Sequence, residues 1–193
     1  MRLLLCLLFL GIATARLARK PNQFDESGNL YCDVIENDCL KLVKEAKTWS
    51  AAKRACEAVG MQLTTYVTKP SMLDQLKQWL ETKYEPTYFN RAFGRRYWGN
   101  SWWVGVRQED GAGEPGDGWH LTDADKSPLP VSSGVWWHAG GPDNWPGGVV
   151  GSENCGRAHL AWRGFWHDKL RVDDGSCLYR DHFICEKLNC CEM

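Results

Sequence analysis

Trp136-Trp137-His138-Ala139-Gly140-Gly141-Pro142-Asp143-Asn144-Trp145 is the stretch on which the reading of this chain turns. Its glycines, proline and Asx residues set turns rather than helix or strand. It lies within a longer segment, Trp119 to Cys155, with many turn residues and no regular period. So long an irregular segment in a compact domain is uncommon unless it carries function.

Outward from this segment the chain becomes regular. Leu40 to Val43 reads as a short strand. Thr48 then stands at an N-cap position. Trp49, Ala52, Ala55, Cys56 and Val59 recur at helical spacing up to Gly60, which predicts a helix from Trp49 to Val59. Pro70 opens a second helix, whose stripe of Met72, Leu73, Leu76, Trp79 and Leu80 is core. Trp102 to Val106 is a strand candidate, Glu109 to Gly118 is turn material, and Gly156 to Trp162 and Leu178 to Glu186 read as closing strands. Helices first and short strands afterwards around a long loop make an α+β fold. Between Tyr84 and Trp98, aromatics alternate with Arg91, Arg95 and Arg96. This pattern suits an insertion packed on the domain better than an exposed ring-stacking surface.

The chain has 193 residues, enough for one domain with short extensions. Its 23 Lys and Arg against 24 Asp and Glu lack the basic surplus of a nucleic-acid binder. Arg2, the apolar run Leu3 to Ile12 and the small residues Ala13-Thr14-Ala15 read as a secretory signal over residues 1–15, too short to span a bilayer. Secretion follows as the expected localisation, and no later stretch is long and apolar enough to span a membrane. Residues 16–38 form an N-terminal extension, loose up to Tyr31, and residues 188–193 a cysteine-bearing tail. Beyond Cys6 in the signal, eight cysteines remain: Cys32, Cys39, Cys56, Cys155, Cys177, Cys185, Cys190 and Cys191. An even number in an oxidising compartment reads as disulfides, and no Cys-x-x-Cys pair suggests zinc instead. The chain has no Gly-x-Ser-x-Gly, His-Glu-x-x-His or phosphate-loop motif, so it is not read as an enzyme.

Six motifs in order resemble those of the C-type lectin-like domain over residues 39–187. Trp103-Val104-Gly105-Val106 is similar to the family's Trp-Ile-Gly-Leu, and Trp137 to Asn144 to its Trp-x-x-Gly-Gln-Pro-Asp-Asn. Glu153-Asn154-Cys155 resembles its Glu-Asn-Cys, Trp166-His167-Asp168 its Trp-Asn-Asp, and Phe183 to Glu186 its closing strand; Cys56 ends the first helix as a half-cystine does there. The resemblance implies a two-helix, short-stranded, disulfide-stapled α+β fold in which the N- and C-terminal strands pair. It implies the bridges Cys56–Cys185 and Cys155–Cys177, and a cis bond at Gly141-Pro142. Long forms of the family close an N-terminal hairpin, here Cys32–Cys39, which leaves Cys190 and Cys191 for bridges between chains. Alternatively, Cys190 and Cys191 each tie back to Cys32 or Cys39.

Sugar-binding members hold Ca2+ in the long loop and following strand, and the resemblance places that site at Asp143, Glu153, His167 and Asp168. Gly141 lacks the family's amide or carboxylate, and His167 replaces an Asn. Each lost charge-assisted hydrogen bond removes about 1.5–3 kcal/mol from sugar binding. Asp143, Glu153, His167 and Asp168 would also suit a transition ion such as zinc, but a lone histidine favours a weakened calcium site. Trp145 is the tryptophan best placed to stack on a sugar face. The implied function is a secreted, calcium-dependent carbohydrate-binding lectin for microbial or cell-surface glycans, in the manner of innate immunity. The rival is a protein-binding or scaffold module on the same fold that has lost sugar binding, with disulfide-linked self-association through the tail.

Overall fold

The computed structural model describes residues 31–32, 38–68, 70–83, 101–113, 115–122, 127–129, 137–138, 140–144, 153–160 and 170–190. The signal segment, the Tyr84 to Trp98 stretch, Trp145, His167, Asp168 and Cys191 lie outside them. In chain order the elements are β1 (Tyr31–Cys32), β2 (Cys39–Lys47), α1 (Trp49–Glu57), β3 (Gln62–Leu63), a 3-10 turn (Tyr66–Thr68), α2 (Pro70–Lys83), β4 (Ser101–Gln108), β5 (Trp119–Leu121), β6 (Cys155–Leu160), β7 (Leu170–Gly175) and β8 (Asp181–Lys187). The strands form one sheet in the order β1-β2-β8-β4-β6-β7, with β3 beside β8 and β5 beside β4. Only β4 and β8 run parallel among these pairs. The N- and C-terminal strands pair, with Leu40 opposite Glu186 and Leu42 opposite Ile184.

The sheet divides two apolar clusters because side chains alternate along β4. Trp102, Val104 and Val106 join the α2 stripe of Met72, Leu73, Leu76, Trp79 and Leu80 in one cluster. Trp103 points to the other, with Trp49, Ala52, Cys56, Phe183 and Cys185. Burying an indole requires a partner for its N–H. Trp49 Nε1 donates to the Val104 carbonyl at 3.0 Å, and Trp103 Nε1 donates to the Lys47 carbonyl at 2.8 Å. Gly105, between them, lets two backbones touch: a Cβ there would sit 2.6 Å from the Leu63 carbonyl oxygen. Its N–H donates to the Thr64 carbonyl at 2.8 Å. Glu186 is fully buried and accepts hydrogen bonds from Gln62 Nε2 (2.9 Å), Thr64 Oγ1 (2.7 Å) and Thr65 Oγ1 (2.7 Å). Three donors offset the desolvation of this carboxylate and pin the β3 segment to β8.

Several boundaries differ from the sequence reading. Helix α1 ends at Glu57, and the chain turns through Gly60 at φ +69°. Thr48 has N-cap backbone geometry, but its hydroxyl makes no capping bond. Tyr31, the last residue of the segment read as loose, pairs with Leu40, and Cys32 after it pairs with Cys39. Leu178 is not in a strand; it is exposed in the turn that follows the Cys177 bridge, and β8 starts only at Asp181. Strand β7 has no counterpart in the sequence reading, because Asp173-Asp174 breaks the apolar alternation that marks a strand.

Disulfides join Cys56 to Cys185 and Cys155 to Cys177, the two pairs implied by the resemblance. The third joins Cys39 to Cys190, which is the alternative in which the tail ties back to the N-terminal cysteines and replaces the Cys32–Cys39 hairpin. Cys32 does face Cys39 across the β1–β2 ladder. Pairing of β2 with β8, however, brings Cys39 opposite Lys187, and the turn after it carries Cys190 back. Asp38 holds that turn: its Oδ1 accepts the Asn189 N–H at 2.6 Å while its Oδ2 accepts the Tyr66 hydroxyl at 2.8 Å. Among the described residues, no helix is long and apolar enough to cross a membrane.

Candidate functional site

Strands β6 and β7 pair in continuous register from Cys155 opposite Gly175 to Leu160 opposite Leu170, and the Cys155–Cys177 bridge clamps one end. Glu153 precedes β6 at that clamped end, and Asp174 lies in β7 opposite Gly156. The 140–144 segment is latched against them. His138 N–H donates to the Val172 carbonyl at 2.7 Å, and Gly141 N–H donates back to the His138 carbonyl at 2.9 Å. The Gly141-Pro142 bond is cis, and Asn144 follows at φ +46°. The bend turns two backbone N–H groups onto Asp174: Asp143 donates to its carboxylate at 3.2 and 3.1 Å, and Asn144 donates at 2.6 Å. Asn144 Oδ1 in turn accepts the Glu153 N–H at 3.0 Å. As a result Asp143, Glu153 and Asp174 each bring a carboxylate oxygen within 4.8 Å of the others. Asp143 is exposed, and Glu153 and Asp174 are buried. Gly141 leaves no side chain here, and a Cβ would stand 3.1 Å from Asp173 Oδ1, crowding it unless that carboxylate moved.

The inner acids sit in a poorly solvated place. Burial raises Asp174, against the two backbone N–H groups that favour its charged form. Burial likewise pushes Asp173 up to about 7, with the neighbouring Asp174, Glu153 and Asp143 adding to it and Arg157 opposing. Arg157 Nη2 lies 3.5 Å from Asp173 Oδ2, both side chains nearly inaccessible. Behind them His159 is held down at about 3, first by burial and then by the charges of His138 and Arg157. The His138 and His159 rings meet edge to face at 5.1 Å.

Three converging carboxylates repel one another unless a cation sits between them. Among the described residues, all donors of the group are hard oxygens, with neither imidazole nor thiolate in it. That donor set fits calcium.

His159 and Asp173 have opposite effects on stability against pH. Below its unfolded value of 6.5 the His159 imidazole takes a proton in the unfolded chain that the folded one refuses down to about 3, so stability falls on acidification. Asp173 holds a proton in the fold below about 7 that the unfolded chain releases above 3.8, so stability rises on acidification. In chelator the two slopes offset each other in the shared range. The variant His159→Gln is therefore expected to gain stability relative to wild type as pH falls from 6.5 to 5, by up to about 1.4 kcal/mol per pH unit. Urea midpoints across that range measure it, and parallel profiles for the two proteins refute it.

No protein-family model and no curated protein sequence matches the chain. Solved structures do. The carbohydrate-recognition domain of the mouse scavenger receptor C-type lectin is 25% identical, covers 78% of this chain and 90% of its own, and superposes with a TM-score of 0.51. Human lithostathine, 17% identical, covers 92% of this chain and 99% of its own at a TM-score of 0.55. The C-type lectin CEL-I from Cucumaria echinata, 16% identical, covers 77% of this chain and 89% of its own at a TM-score of 0.50. The chain has the C-type lectin-like fold.

In this C-type lectin-like domain, the structure brings together two of the acids that the sequence singled out, Asp143 and Glu153. His167, Asp168 and Trp145 lie outside the described residues. The third acid of the cluster is Asp174, which the sequence reading did not name. A signal for it was present: Glu153 stands two positions before Cys155, and Asp174 three before Cys177. The bridge between those cysteines keeps both acids near the clamped end of the strand pair. The Trp166-His167-Asp168 motif drew attention because it preserves a tryptophan, whereas Val172-Asp173-Asp174 offers only the acids.

Proposed function

We propose that this C-type lectin-like domain is a secreted carbohydrate-binding module for microbial or cell-surface glycans, with a Ca2+ site at Asp143, Glu153 and Asp174. The observation that carries this reading is the convergence of three carboxylate oxygens within 4.8 Å on a loop bent by a cis proline. Bound calcium would supply a Lewis-acidic anchor for sugar hydroxyls. The exposed Asp143 carboxylate accepts hydroxyl hydrogen bonds at the rim. Asp174 acts from behind, fixing the backbone of Asp143 and Asn144 so that Asp143 needs no reorganisation on binding. Gly141 contributes no side-chain partner, so affinity for a single sugar is low and multivalent display raises it. Carbohydrate recognition in the mouse receptor domain and three buried or half-buried disulfides in this chain support the reading.

A glycan array probed in calcium and in EDTA tests it, alongside thermal melting in both. We expect calcium to raise the melting temperature and EDTA to erase the array signal. An array blank in both solutions overturns the lectin reading. A blank array with calcium stabilisation retained transfers the function to protein binding, the reading that the empty Gly141 position favours.

A further inference from the structure

Helix α1 and the β4–β5 hairpin enclose a cleft of about 740 Å³ that shares no residue with the three-acid site. The buried Trp49 and Met61 form its floor. Lys53 and Arg54 line it from α1, Arg107 from β4 and His120 from β5. Arg107 and His120 are register partners across the hairpin and also line an adjoining cavity of about 210 Å³. Two nitrogen-bearing side chains therefore face the same space from opposite strands. The Arg107 guanidinium lies 5.6 Å from the centre of the Trp49 ring, a contact that orients its fork of donors.

Three acids stand nearby. Glu57, the one carboxylate among the described residues of the cleft lining, is paired with Lys53 along the helix, and Glu109 lines the adjoining cavity. Asp110 reaches Arg107 Nη2 at 2.8 Å but is 82% exposed, so water screens that pair. Arg54 has no ion-pair partner among the described residues. Ser50, Gln62 and Thr122 complete the lining with hydroxyl and amide groups. Guanidinium forks beside neutral hydroxyls and an amide match a ligand bearing both an anionic group and free hydroxyls, in a volume typical of small-ligand pockets. An acidic peptide offers the anion without the hydroxyls.

We infer that this cleft is a second, metal-independent site for an anionic saccharide, its sulfate or carboxylate held by Arg54, Arg107 and His120. The inference goes beyond the calcium reading and uses none of its residues. Calorimetric titration of the full chain in EDTA tests it, with a fully sulfated heparin disaccharide, its unsulfated uronic-acid counterpart and a polyglutamate competitor as probes. At least one disaccharide is expected to bind, more weakly as NaCl rises. Binding of the sulfated form alone identifies sulfate as the recognised group, and binding of both identifies the carboxylate. The double variant Arg54→Ser/His120→Gln is expected to lose at least about tenfold in affinity, or about 1.4 kcal/mol. Asp174→Asn should leave affinity unchanged, and melting curves of both variants report their folding. No saturable binding in EDTA overturns the proposal, as does an unchanged affinity in the folded double variant. Displacement by polyglutamate at equal anion concentration overturns the saccharide assignment.

Discussion

Removing Cys39–Cys190 and Cys56–Cys185 together, by four alanine substitutions, is expected to cost about 8 kcal/mol, more than the two single removals added. The two bridges are nested, with sequence separations of 151 and 129. With both present, the unfolded chain carries the inner loop and a small ring, made by seventeen positions from Cys39 to Cys56 and five from Cys185 to Cys190. Removing either bridge opens only that ring, at about 3 kcal/mol in the chain-entropy account, because the survivor still closes a long loop. Removing both also frees a loop of well over a hundred residues, about 5 kcal/mol more. Cys56 and Cys185 are buried, so their removal adds a cavity cost, which cancels in the double-mutant coupling. Urea unfolding of the three variants without reductant measures the coupling. Should the fourfold variant not fold, the single Cys39/Cys190 removal still decides: a loss near 5 kcal/mol in place of 3 refutes the nested account.

Asp174→Ala should abolish calcium stabilisation while changing the calcium-free domain much less. The carboxylate accepts three contacts from two backbone N–H groups, so its loss unlatches the 143–144 bend. It also stands close to Asp143 and Glu153, and burial already disfavours its charge. Removal therefore relieves repulsion while it deletes hydrogen bonds, and in EDTA the two effects oppose. In calcium they no longer do. Wild type at a hundredfold excess over its Kd gains about 2.7 kcal/mol, and the variant, lacking the inner ligand, gains none. Melting curves of both proteins with and without calcium give the result. An equal calcium shift in the variant would remove Asp174 from the site. Asp143→Asn separates the roles, because it keeps the backbone N–H on Asp174 and loses only the exposed ligand charge.

The two helices were legible because their signals are local. The α2 stripe repeats every three to four residues, and each of its five members is buried as that spacing requires. Asp143 and Glu153 were legible because the Gly141-Pro142-Asp143-Asn144 and Glu153-Asn154-Cys155 segments resemble motifs of the family. Strand β7 was not legible, since a buried strand holding Asp173-Asp174 contradicts apolar alternation. Its acids are tolerated only because Arg157 and the bent loop supply partners from elsewhere in the chain.

By itself, then, the order of residues determined the α+β class, the two helices and the cysteine-rich character, which follow from short-range periodicity, turn chemistry and counting. Asp143 and Glu153 came from the resemblance of their motifs to those of a known family. Tertiary structure alone decided that Cys39 joins Cys190, that Asp174 completes the acid cluster, and that Arg107 and His120 face one cleft with α1. Each of these depends on strand register, which is set by how side chains far apart in the chain share a buried face and is not written in any local run of residues.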